Sequence, residues 1–396
     1  MNAINEFSGI GKKIKITDIK AMQIKGSAGQ SLVKVETDAG VYGIGEAGAS
    51  GPTIRAQIQQ MKWLWHGEDP LNIEKLYYRM ISMANRVSPY RAHIPTISGI
   101  DIALWDIAGK VLNRPICDLL MGRVRDGAPI YINSGCNFAD KVSCRDWASQ
   151  LKESPYGWHT VKVGAFGAGL KDRRRLKLKE SPVTWERLIA GDLHTLQGWF
   201  ENCREALGYD MDFIVHCHDE FDLPSALGLA QAVASSDPLW IEDPLPVEYS
   251  ESWKTLADKS PVRILTGEKL ELAREFLPFI ANQAVHAVQP DLAFAGGITG
   301  AKKISDLAML YHIPMTAHNV GTAVLNMATA HFGISTRNFL MMETRISQYD
   351  IIDKMVEEPI QVVNGQIIVP DRPGLGITLI PEVLRENLEE GEPYWE

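Results

Sequence analysis

The sequence has no C-x-x-C pair, and its five cysteines (Cys117, Cys136, Cys144, Cys203 and Cys217) are scattered and odd in number. That pattern argues against a disulfide framework and fits reduced thiols in a cytoplasmic protein, with Cys217 a strand filler rather than a nucleophile. No run approaches the ~20 apolar residues of a membrane span, so no membrane is expected as a partner. A basic surplus is also missing: the formal charge is −9 and the pI about 5.6. The one dense basic run, residues 171–180, is short and reads as a solvated face, which leaves nucleic acid without a docking surface. The opening "MNAINEFSGIGKK" lacks an apolar signal core, so cytoplasmic residence is expected.

What is present is the mix of an ordinary globular protein, 45% hydrophobic and 22% charged over 396 residues. This exceeds the ~250–300 residues at which one core stops growing, so more than one domain is expected. Residues 14–46 alternate as "KITDIKAMQIKG" and "SLVKVETDAGVYGIGEA", the sign of an antiparallel meander. From 52 to 120 the period becomes helical. In "TISGIDIALWDIAGKVLN" the apolar positions Ile100, Ile102, Ala103, Trp105, Ile107 and Ala108 give an almost wholly buried helix. Sheet first and helices after implies a separate α+β domain over residues 1–125.

Beyond Arg123, eight short apolar strands alternate with helical stretches: 129–134, 160–164, 213–218, 239–244, 263–268, 287–291, 313–318 and 339–344. The fold class is therefore α/β, a (β/α)8 barrel over 126–365, with a C-terminal segment, 366–396, returning to the first domain. The stretch from 165 to 212 is about twice the length of a normal crossover and implies an insertion around 165–190. The aromatic cluster at Trp63 and Trp65 is expected to pack between capping helices.

The strands end in ionisable residues: Lys162, His216 and His218, Glu242 and Asp243, Glu268, Asp291, His318, and Glu343 with Arg345. In a parallel barrel the C-terminal strand ends carry catalysis, and so many buried charges are costly unless they pair or bind a cation. Glu242 and Glu268, from successive strands, can converge on a hard divalent cation such as Mg2+. Beside a substrate carboxylate, that cation would stabilise the dianion left when the alpha proton is removed. Asp291 and His318 form a candidate base dyad, the carboxylate fixing the imidazole tautomer. Lys162, His216 and His218, expected across the barrel, suit binding a carboxylate or protonating a leaving hydroxide. Asp243 reads as a rim acid pointing away from Glu242. Arg345 either binds substrate or pairs with Glu343.

These residues resemble the enolase superfamily, mandelate racemase subgroup, and within it the galactonate- and mannonate-type acid-sugar dehydratases. "GVYGIGEA" and "GIDIALWDIAGKVLNRPICDLLMG" are similar to the capping domain. "WIEDP", "LTGE", "VQPDLAFAGGIT" and "TAHN" are similar to the fourth to seventh barrel strands. The resemblance implies a capping domain over a modified (β/α)8 barrel with Mg2+ at its mouth. It implies Glu242 and Glu268 as metal ligands, Asp291 and His318 as the dyad, Glu343 as the acid that bonds the substrate carboxylate, and His218 as general acid on the 3-hydroxyl. A small carboxylate, aldonate or aldarate, is the implied substrate, and a homo-oligomer the implied assembly. His216 departs from the pattern, standing where the family carries an aspartate ligand. An imidazole there moves the metal preference toward Mn2+ or another borderline cation, with Asp219 or Glu220 available to compensate. At the second strand, Val163-Gly164 replaces the second lysine of Lys-x-Lys, which argues against two-base racemisation. The expected reaction is dehydration to a 2-keto-3-deoxy acid. The alternatives are an epimerase or cycloisomerase of another carboxylate, or an impaired homologue acting as a sensor because His216 abolishes the metal.

Overall fold

The computed structural model describes residues 13–87, 93–164, 179–180, 186–219 and 221–395. The insertion expected around 165–190 and the basic run at 171–180 fall largely outside these residues, as does Glu220.

Strands Ile16–Met22, Ser31–Thr37 and Tyr42–Ala47 form the antiparallel meander. Helix Ile94–Leu112 lies against it, close enough that a Cβ on Gly43 or Gly45 would stand 2.0 Å from the Ala103 or Gly99 carbonyl oxygen. The glycines of "GVYGIGEA" are thus what lets strand and helix backbones touch. The opposite side of the same helix meets the barrel. Asp101 Oδ2 accepts from Thr299 N at 2.9 Å, and Trp105 Nε1 donates to Thr299 Oγ1 at 2.9 Å. Asp106 accepts from Ile44 N and Leu375 N at 2.9 and 2.8 Å, bonding cap strand and C-terminal segment to one carboxylate. A helix buried on both sides explains its near-continuous apolar sequence.

Helix Gly51–Trp65 corrects one expectation. Trp65 is fully buried, but Trp63 is 68% exposed. Residues two apart on a helix point roughly 200° apart, so only one of the pair can face the cap.

The barrel strands are Gly127–Asn133, Thr160–Gly164, Asp212–His216, Ile241–Glu242, Ile264–Thr266, Ala287–Val288, Met315–Ala317 and Phe339–Glu343. All neighbours are parallel, and Met342 pairing with Ile130 closes the ring. Several strands end earlier than their apolar runs. Asp219, Asp243 and Gly267 take φ values of 61°, 47° and 142° just beyond the third, fourth and fifth strands, although Cys217 N and Asp219 N still donate to the Glu242 and Asp243 carbonyls. His218 lies two residues past its strand, and Glu268 is presented on a turn.

Inside the barrel Tyr131, Ile214, Trp240 and Leu265 form a plug. Ile214 and Trp240 face this interior, so His216 and Glu242, two residues on, face it at the mouth. Asp243 has the opposite parity. It is buried and accepts from Thr266 Oγ1 at 2.6 Å, so it is not a rim acid: the outer face of a barrel strand lies under the helix layer.

Segment Gln366–Ile368 pairs antiparallel with Gly127–Pro129, and the chain then reaches the cap, where Leu388 bridges to Ile24 and Glu392 pairs with Arg55 at 2.5 Å. His331 is wholly buried, its Nδ1 accepting from Cys117 N and its Nε2 facing the Leu375 carbonyl, a packing role that agrees with its helical position. All five cysteines are free thiols. No described helix is long and apolar enough to cross a membrane.

Candidate active site

The barrel mouth opens into a cavity of about 510 Å³ lined by Lys162, His216, His218, Glu268, His318 and Glu343, with cap residues Ala28 and Gln30 above them. Glu242 and Asp291 lie beneath, fully buried and in contact with this wall. Eight of the nine expected site residues therefore gather at one place.

Lys162 is the hub. Its ammonium bonds Glu242 Oε1 at 2.9 Å and Glu343 Oε2 at 2.7 Å, and all three groups are buried. Burial opposes the ammonium charge, but Glu242 and Glu343 more than offset it and hold the lysine well above its ordinary pKa. The strands of Glu242 and Glu343 are each separated by one strand from that of Lys162, on either side, and the long side chain pointing into the barrel reaches both.

His318 Nδ1 stands 2.6 Å from Asp291 Oδ2, and Asp291 Oδ1 accepts from Ala293 N at 2.7 Å. The carboxylate is thereby anchored on its own turn and fixes the ring, leaving His318 Nε2 for the cavity, 3.4 Å from Glu268 Oε2 and 3.8 Å from Glu343 Oε2. Burial works against the imidazolium, yet Glu268, Asp291 and Glu343 together push its pKa up to about 10. His218 is half-exposed, with Nε2 3.3 Å from Glu268 Oε1, a contact that raises its pKa. The His216 and His218 rings lie 5.8 Å apart on the same side, as strand alternation requires.

Two carboxylate oxygens at the mouth, Glu242 Oε2 and Glu268 Oε2, are buried and take no hydrogen bond, the second having the His318 ring nearby at 3.4 Å. Such oxygens are costly unless a cation meets them, so the pair fits a hard divalent ion that keeps waters or substrate oxygens as its other ligands. His216 Nδ1 contacts Glu242 Oε1 at 3.0 Å, and among the described residues no three His, Cys, Asp or Glu side chains have the spacing of a metal centre. Asp219, the described alternative, is taken up by Lys269.

Arg345 lies beside the cavity wall at Val320. Its guanidinium stacks 3.6 Å over the Tyr349 ring and reaches the Val320 carbonyl; it does not line the cavity, and no ion pair to Glu343 occurs among the described residues. It follows the end of its strand and turns toward the next loop.

Sequence reasoning missed Gln30, Lys269 and Glu46. Lys269 was visible only as the residue after Glu268. Glu46, on the last cap strand, is buried and accepts from Thr322 N, Thr322 Oγ1 and Leu325 N at 2.9, 2.7 and 3.0 Å. A cap carboxylate thus fixes the loop that follows His318. Burial raises its pKa to about 7.

The profile described as mandelate racemase / muconate lactonizing enzyme, N-terminal domain, matches residues 16–122, and the enolase C-terminal domain-like profile matches residues 148–383. The D-xylonate dehydratase of Haloferax volcanii is 32% identical over 386 residues, 96% of this chain and 91% of that protein. The D-galactonate dehydratase family member RspA of Pantoea ananatis is 29% identical over 408 residues, 96% of each chain. A mandelate racemase/muconate lactonizing enzyme-like protein from Rubrobacter xylanophilus superposes with a TM-score of 0.88 at 26% identity, covering 97% of this chain and all of that one.

Proposed function

This chain is an enzyme belonging to the mandelate racemase/muconate lactonizing enzyme family of the enolase superfamily, and from that premise we propose that it dehydrates an acid sugar of the aldonate class. The observation that carries the reading is the pairing of one buried base dyad, His318–Asp291, with one more exposed histidine, His218, on opposite oxygens of Glu268 in a single cavity. One base and one acid, without a second base from the second strand, suit removal of a proton and a hydroxyl rather than inversion at one carbon.

In the proposed reaction Lys162 and Glu343 hold the substrate carboxylate, Lys162 by its ammonium and Glu343 by way of that ammonium, which it bonds at 2.7 Å. His318 Nε2 removes the proton at C2, and Asp291 accepts from Nδ1–H and stabilises the imidazolium that forms. His218 gives its proton to the 3-hydroxyl, which departs as water. The enol left behind tautomerises to the 2-keto-3-deoxy acid. Glu242 and Glu268 are the residues that would hold a divalent cation, Mg2+ or Mn2+. Bound there, it supplies charge for the enediolate and neutralises the carboxylate that contributes most to the elevated basicity of His318.

A screen of five- and six-carbon aldonates for 2-keto acid tests the reading. Turnover of at least one aldonate with Mg2+ or Mn2+ is expected, with loss of activity on chelation and recovery on adding the metal back. No 2-keto acid from any member, with metal present, contradicts it.

A further inference from the structure

Two of the five free thiols meet: Cys136 Sγ donates to Cys144 Sγ at 3.6 Å. Cys136 is half-buried on the loop that leaves the barrel mouth after Asn133, and Cys144 is buried in the first turn of helix Lys141–Lys152. Loop and helix are tied together on either side of this contact. Trp147 Nε1 donates to Ser134 Oγ at 2.9 Å, Asn137 N donates to Ser143 Oγ at 3.2 Å, and the Phe138 and Trp147 rings meet edge to face at 5.5 Å. Asn202 Nδ2, from helix Ala190–Leu207, holds the Phe138 carbonyl at 3.0 Å. Bonds that involve neither sulfur therefore keep the two thiols side by side.

The contact is also the chief reason that the Cys144 thiol is held below its ordinary pKa while that of Cys136 is pushed up, so one proton is shared and thiolate character is kept in the pair. Cys203 and Cys217 are closed off from solvent, as filler cysteines are. The pair instead has one residue open to solvent and a buried partner in contact with it, the arrangement of a peroxide-reactive thiol and its resolving cysteine. We propose that Cys136 and Cys144 are a redox-modification site that a hydroperoxide closes to an intrachain disulfide, bracing the loop that leaves the cavity wall at Asn133. The Cys136 sulfur attacks one peroxide oxygen, the O–O bond breaks, and the departing hydroxide takes the thiol proton, leaving a sulfenic acid and one water. The Cys144 sulfur then attacks that of Cys136; the S–S bond forms, the S–O bond breaks, and hydroxide leaves with the Cys144 proton as a second water. Two thiols lose two electrons and the peroxide gains them.

The test treats the reduced full chain with a small excess of hydrogen peroxide, alkylates the remaining thiols after denaturation, and maps the peptides by mass spectrometry. Wild type is expected to lose two of its five thiols, with Cys136 joined to Cys144, and to recover all five on adding dithiothreitol. In Cys144→Ser the resolving thiol is gone, so Cys136 is expected to stop at the sulfenic acid and be trapped by dimedone, with no intrachain link. Amide hydrogen exchange across residues 134–140 is expected to slow at least about threefold in the linked wild type. Five thiols retained after peroxide, a link that joins another pair such as Cys144 and Cys203, or a link that persists in Cys144→Ser overturns the site. Unchanged exchange across 134–140 in the linked protein overturns the bracing.

Discussion

Replacing His318 by asparagine lowers kcat on the best aldonate by about a thousandfold and leaves KM within a few-fold. General-base catalysis by a positioned histidine is worth roughly 10²–10⁴ in rate, and no other side chain on the His318 face is placed to take over. Glu268 and Glu343 approach His318 Nε2 at 3.4 and 3.8 Å, but Glu343 is bonded to Lys162 and Glu268 faces His218 as well. Asparagine keeps a polar group for Asp291, so the carboxylate is not abandoned in the interior. Steady-state kinetics check this, and a loss of less than tenfold removes His318 from the role of base.

Lys162→Met has the largest expected effect on stability, a loss of about 3–5 kcal/mol at pH 8 by urea denaturation. Removing the ammonium leaves Glu242 and Glu343 buried beside each other without their cation. The penalty has a pH signature. In the variant Glu242 loses the ammonium that lowers its pKa, and burial is left to favour its neutral form. Stability is then retained below the unfolded carboxyl pKa of about 4.3 and lost as pH rises through the raised folded value. The gap between variant and wild type should accordingly narrow from pH 8 toward pH 5. A gap under 1 kcal/mol at pH 8 contradicts the hub role of Lys162.

The architecture was readable because each layer leaves its own period. The cap meander alternates, the seam helix is apolar all round because it is buried on both sides, and the barrel strands are apolar runs because parallel strands are covered on both faces. The site was readable for the same geometric reason: a strand that ends in an ionisable residue puts it at the mouth. What the sequence left hidden depends on contacts between elements distant in the chain. Lys162 and Glu343 are far apart in sequence but bonded at 2.7 Å, and whether Arg345 turns into the cavity or onto Tyr349 is set by a loop conformation, not by its strand. Strand ends were overrun because positive φ at Asp219 and Asp243 is a preference of aspartate, not a rule. Gln30 was not singled out, because which residue of a cap loop meets the cavity is settled only once the cap has folded over the barrel. The departure at His216 was plain in "HCH", yet its consequence, an imidazole resting on Glu242, required the distance.

The central claim is one-sided dehydration, and proton NMR of the wild-type reaction in D2O tests it most directly, using the aldonate that turns over fastest with Mg2+. The account predicts a 2-keto-3-deoxy acid carrying one solvent deuteron at C3, formed without the C2 epimer of the substrate. Recovery of a C2-inverted, deuterium-labelled acid with no keto product would contradict it, because inversion needs a second base on the face where this chain has Val163 and Gly164.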